Sequence, residues 1–103
     1  MKIKSVFVEC YLLMIAFTLM NSAQRRTLEA IFASPTPSNL AWRQIEGLFV
    51  ALGAQMIEGH GSRVRFELNG TVASFHRPHP YKEAKPYQVR DARKFLIQAG
   101  VRP

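Results

Sequence analysis

The sequence has a single cysteine, Cys10, which excludes an internal disulfide and makes a cysteine-based metal site a poor fit. It has no apolar stretch long enough to cross a bilayer: the uninterrupted run Cys10–Met20 falls well short of the roughly 20 residues a spanning helix needs. Internal repeats and low-complexity segments are absent. Acidic side chains are scarce, seven Asp and Glu against 14 Lys and Arg, so 103 residues carry a formal charge of +7. That excess points to a polyanionic partner, because neutralising phosphates releases counterions and steers encounter. Nucleic acid stands ahead of a membrane surface or an acidic protein. The length allows one domain with a modest core, and the composition is that of an ordinary globular chain.

The first residues stand apart. Lys2 and Lys4 precede the apolar stretch Tyr11–Leu19, and Asn21-Ser22-Ala23 ends in small residues, the outline of a signal peptide that Glu9 interrupts. Three readings stay open: translation that starts at Met20 after an over-long gene assignment, a signal or anchor, and a folded extension. Only a genuine anchor in residues 1–19 would bring a membrane into play. Removing residues 1–19 takes away Lys2, Lys4 and Glu9 and leaves 12 basic and six acidic residues, a charge of +6. The charge argument is therefore independent of the start.

Three segments follow: residues 1–19 as a doubtful extension, 20–38 as a helical arm with a Pro-rich linker, and 39–103 as the domain. Arg25–Ala33 can form a short helix with Leu28, Ile31 and Phe32 on one face, stopped by Pro35 and Pro37. Asn39 offers an N-cap for a helix to Leu52 with a stripe of Trp42, Ile45, Leu48, Phe49 and Leu52, and Gly53 closes it. Ala54–Glu58 reads as a short strand. Arg63–Leu68 alternates polar and apolar as a half-buried strand does, and Asn69-Gly70 is the preferred two-residue hairpin turn before Thr71–His76.

That turn fixes a register: Leu68 opposite Thr71, Phe66 opposite Ala73 and Val64 opposite Phe75 toward the core, with Arg65 opposite Ser74 and Arg63 opposite His76 on the other face. Pro86 suits the first turn of a last helix with Val89, Ala92, Phe95, Leu96 and Ala99 buried, closed by Gly100 with Val101 folding back on Leu96. The expected fold is α+β, in the order α-β-β-β-α: a three-stranded antiparallel sheet with two helices on one face, preceded by the helical arm.

In this order, the helix Trp42–Gly53, the Gly61-Ser62 step into a strand, the Asn69-Gly70 hairpin and the stretch His79-Pro80-Tyr81-Lys82-Glu83-Ala84-Lys85-Pro86 resemble the HicA family of small toxins over roughly Leu40–Val101. The resemblance implies a fold like that of double-stranded-RNA-binding domains. It also implies the toxin of a type II toxin–antitoxin system, a cytoplasmic messenger-RNA endonuclease that works without metal or other cofactor, and a HicB-like antitoxin as partner. In that family the catalytic histidine follows a Gly-Ser or Gly-Asp step, and the position is occupied here by Arg63. A non-catalytic RNA-binding or antitoxin-binding module is the competing reading. An exported basic peptide is a third, should residues 1–23 be a signal.

Metal-free RNA cleavage needs a base for the 2′-hydroxyl, an acid for the leaving oxygen and cations for the phosphorane charge. Arginine suits the last role and is a poor base because it stays protonated. His76, opposite Arg63, is the first candidate for the base, and His60, in the turn before Arg63, is the second; Arg63 itself completes the catalytic set. Arg63, Arg65, Arg77, His79, Lys82 and Lys85 form the expected RNA-binding surface, extended by Arg90, Arg93 and Lys94, and Tyr81 and Tyr87 are candidates for base stacking. The alternative for each is a solvated surface residue. The histidine spacing matches no metal motif, and no metal site is assigned.

Overall fold

The computed structural model describes residues 20–103, with helices α1 Ser22–Ile31, α2 Trp42–Ala51 and α3 Pro86–Gln98 and strands β1 Gln55–Glu58, β2 Arg63–Leu68 and β3 Thr71–His76. The readings of residues 1–19 lie outside the described residues. The strands form one antiparallel sheet in the order β1-β2-β3. This is the α+β arrangement expected from the sequence, and no helix among the described residues is long and apolar enough to cross a membrane.

The β2–β3 register is the one the Asn-Gly turn dictates: Arg63 pairs with His76, Val64 with Phe75, Arg65 with Ser74, Phe66 with Ala73 and Leu68 with Thr71. Val64, Phe66, Leu68 and Phe75 are buried against the helices while Arg63, Arg65, Ser74 and His76 are exposed on the outer face. The core centres on Phe49 of α2, whose ring lies 5.0 Å from those of Phe66 and Phe95 and 6.0 Å from that of Phe75. One side chain thus ties α2 to both hairpin strands and to α3.

Both domain helices end as their glycines require. Gly53 and Gly100 adopt positive φ, and the paired bonds Ala54 N–H to Phe49 O (2.9 Å) and Val101 N–H to Leu96 O (2.8 Å) complete Schellman closures. The start of α2 differs from expectation. Asn39 does not cap it, because Leu40 and Ala41 are drawn into an extended pairing with the 82–84 segment. The Ala84 N–H donates to Leu40 O at 2.8 Å and the Trp42 N–H to Lys82 O at 3.0 Å, so the helix begins at Trp42. Helix α1 also starts earlier than its apolar spacing suggests. Asn21 and Gln24 form a reciprocal capping box, with the Gln24 N–H 2.8 Å from Asn21 Oδ1 and the Asn21 N–H 3.0 Å from Gln24 Oε1.

Helix α1 packs on both α2 and α3. Met20, Leu28 and Ile31 are buried in the same cluster as the domain's own core. Arg93 of α3 secures it by donating to Ile31 O at 2.8 Å and to Ala33 O at 3.1 Å, two carbonyls at the helix's open end. The arm is therefore a docked third helix.

The hairpin turn is anchored at a distance. Asn69 has φ +52° and its Nδ2 donates to the carbonyl of Ala99 at 3.0 Å, which joins the turn to the end of α3. Asn69→Ala forces a Cβ-bearing residue without local compensation into the left-handed region and removes that bond. An expected loss of about 1–2 kcal/mol in urea unfolding follows, with Asn69→Gly losing only the smaller hydrogen-bond share.

Candidate nucleic-acid interface

The outer sheet face is built by the two-residue period of its strands. Ile57 of β1, Arg65 of β2 and Ser74 of β3 lie in one row across it, with Arg63 and His76 as the next pair toward the β1–β2 turn. Directly opposed residues of an antiparallel pair bring their Cβ atoms within about 5 Å, so a guanidinium and an imidazole project side by side. They border an open cavity of about 310 Å³ that Ile57, Arg63, Arg65, Ser74 and His76 help to line. The backbone beneath is held on both sides: the Arg77 N–H donates to Ser62 O at 2.8 Å, and Gln88 Nε2 donates to His76 O at 2.6 Å. Gln88 is itself buried, and its Oε1 accepts the Lys85 N–H at 2.9 Å. One amide of α3 therefore fixes both the end of β3 and the last residue of the following loop.

The expected site residues fall in four places. Arg63, Arg65 and His76 share the cavity. His60 occupies the turn beside it, with its carbonyl accepting the Arg63 N–H at 3.2 Å, but its ring is not among the cavity walls. His79, Lys82 and Lys85 lie in the exposed loop between β3 and α3, where His79 and Lys85 line a second depression of about 240 Å³ with Pro78, Tyr81, Glu83 and Pro86.

Arg77 stands elsewhere. Alternation continued one step past β3 puts residue 77 on the same side as Phe75, toward the helices. There its guanidinium meets Glu46 of α2, with Nε 3.0 Å from Oε2 and Nη2 3.0 Å from Oε1, and also donates to Glu58 of β1. The hydrogen bonds it donates to Glu46 first and Glu58 second raise its pKa above the ordinary arginine value, so its charge is matched within the protein. Arg93, likewise read as part of the basic surface, is turned to the arm instead. Two residues the sequence reading left out, Glu46 and Gln88, thus organise the site's frame. Glu46 could have been found from the parity of Arg77, which demands a helix-side partner, whereas Gln88 gives no signal beyond its place in the first turn of α3.

Among the described residues no three His, Cys, Asp or Glu side chains come together as a metal site would require. The arrangement offers two sheet cations, Arg63 and Arg65, that make no ion pair among the described residues, beside a histidine, suited to an anionic oxygen and a proton transfer.

No curated protein and no solved structure matches the chain. A family model does: that of the HicA toxin of bacterial toxin–antitoxin systems, over residues 42–101. The matched span opens on the first residue of α2 and closes on Val101, the residue that completes the cap of α3, so it coincides with the α-β-β-β-α body just described. On that match, over more than half of its length, the chain belongs to the HicA toxin family.

Proposed function

We propose that this toxin binds RNA across the outer face of its sheet and cleaves it without a metal ion, with His76 as base and Arg63 as the phosphate-holding cation. The observation that carries the reading is the pairing of Arg63 with His76 on that face, over the cavity. His76 takes the proton of a 2′-hydroxyl. The 2′ oxygen then bonds to the adjacent phosphorus and the bond from phosphorus to the 5′ oxygen breaks, leaving a cyclic phosphate. Arg63, whose charge persists throughout, holds the non-bridging oxygens as negative charge builds on them. The proton returned to the leaving 5′ oxygen is assigned to His60, in the turn beside the cavity, since Glu58 on the cavity wall is engaged by Arg77.

Membership of a toxin–antitoxin family implies an antitoxin partner. A HicB-like protein covering the outer face, and messenger RNA as the target, complete the proposal. Arg65 extends the phosphate contacts, with Lys82, Lys85 and His79 supplying them from the loop. Arg77 is left out of this surface because Glu46 and Glu58 already satisfy it.

The test is a titration of single-stranded RNA with the full chain at several salt concentrations. Two phosphate contacts on a single strand contribute about 1.4 to the slope of log affinity against log salt, so Arg63→Ala with Arg65→Ala should lower the slope by that amount. An unchanged slope would remove the outer face from the RNA path. The competing reading, a binding module without catalysis, is favoured by what the resemblance implies, that Arg63 stands where the family has its catalytic histidine. It predicts RNA binding without cleavage, and cleavage appearing in Arg63→His.

A further inference from the structure

The loop between β3 and α3 carries more than charge. Its depression of about 240 Å³ has another character: Pro78, Tyr81 and Pro86 bring rings to its lining, His79 an imidazole, Lys85 a cation and Glu83 a carboxylate. Tyr81 is 73% exposed, the most exposed large hydrophobic side chain among the described residues, and no packing accounts for it. The loop's backbone beside it is nevertheless held in place. The Glu83 backbone pairs with Ala41, the Ala84 N–H donates to Leu40 O at 2.8 Å, and Gln88 holds the Lys85 N–H. An exposed aromatic ring on an anchored loop, flanked by a cation, is the equipment by which proteins hold an unpaired base, with the ring taking the base's face and the cation its phosphate.

We propose that this loop groove is a second nucleotide subsite, in which one unpaired base stacks on Tyr81 and its phosphate is met by Lys85. The inference rests on the reading of the outer face as the RNA path. Continuity supports it: His79 is three residues beyond His76, a Cα separation of at most about 11 Å for extended chain, so a strand lying over Arg63 and His76 runs on toward the groove. Glu83 adds selectivity. A carboxylate accepts hydrogen bonds from an exocyclic amino group and repels a carbonyl edge, so the favoured base is one bearing an amine, such as cytosine, over uracil. A polyanion held by charge alone would make no use of an exposed tyrosine or an acidic wall.

The experiment titrates the full chain with fluorescein-labelled 2′-O-methyl hexacytidine and hexauridine, which lack the attacking hydroxyl and stay intact. Hexacytidine should bind the tighter of the two, and Tyr81→Ala should weaken it about tenfold, with Tyr81→Phe restoring most of the loss. Glu83→Gln should erase the preference for hexacytidine. Tyr81 is on the surface, and equal circular dichroism and melting of the variants establish that folding is unchanged. Tyr81→Ala binding as the wild type does, while Arg63→Ala loses affinity, would overturn the subsite and leave the outer-face reading standing. Affinity untouched by Tyr81→Ala but loss of a co-expressed antitoxin would overturn it in favour of a protein-binding groove. Wild-type protein that binds neither oligonucleotide would overturn both.

Discussion

Replacing His76 with alanine should reduce RNA cleavage by about a hundredfold to ten-thousandfold while leaving RNA affinity within a few fold of wild type. That range is the usual share of a general base, and His76 opposes Arg63 where a 2′-hydroxyl beside a held phosphate would lie. Its side chain is exposed and its backbone is fixed independently by Gln88 and by the Arg77–Ser62 bond, so the substitution removes an imidazole and little structure. The measurement is the initial rate on a short RNA with the full chain, beside growth after induction in a bacterial host. Arg63→Ala should behave differently, with loss of affinity as well as rate, because a phosphate-holding cation acts on bound and reacting states alike. Cleavage that persists unchanged in His76→Ala would eliminate this histidine as the base and turn attention to His60.

The second large effect concerns Arg77, which sequence places with the phosphate-binding residues and structure places between two carboxylates. Arg77→Ala leaves Glu46, whose side chain is only 17% exposed, without its bidentate partner, and releases Glu58 from the edge of the sheet. Stranding a largely buried charge costs more than the pair contributes. A loss of about 2–3 kcal/mol in urea unfolding is expected, below the full buried-pair cost because Arg77 and Glu58 both reach solvent. The salt slope of RNA binding should stay as it is. Replacing both partners, Arg77→Met with Glu46→Met, should recover much of the stability, since neither charge is then orphaned. A fallen slope at unchanged stability would return Arg77 to the RNA surface.

The contrast between these residues shows what a linear sequence reveals. The face of His76 was legible because β2 alternates cleanly and Asn69-Gly70 permits one short turn, so six residues on each side were placed by a local rule. Arg77 was not, because the same alternation had to be carried past the end of the strand, and its partner Glu46 lies 31 residues away on another element. The start of α2 was misplaced for a similar reason. Asn39 is a good cap by local chemistry, yet the pairing of Ala41 with Glu83 claims the backbone first. Helix α1 was readable in kind, and its true beginning was written in Asn21 and Gln24, a short polar signal overshadowed by the apolar run before it. The docking of the arm was out of reach, since nothing near Arg93 in sequence announces that it will bind carbonyls of another helix.

That docking has a consequence for the order of events in a chain made from one end. The bond from Arg93 to Ile31 joins residues 62 apart, and the arm's buried face rests partly on α3, the last of the three helices described to be synthesised. While the ribosome is still extending the chain, Leu28 and Ile31 have only part of their packing surface to fold against. The hairpin, whose partners are near neighbours in sequence, closes early, as the arm's packing on α2 can; the arm's contact with α3 spans the longest loop and forms late. Only once α3 has been made is the buried face of the arm fully covered, so the arm's final seating waits on the far side of the domain.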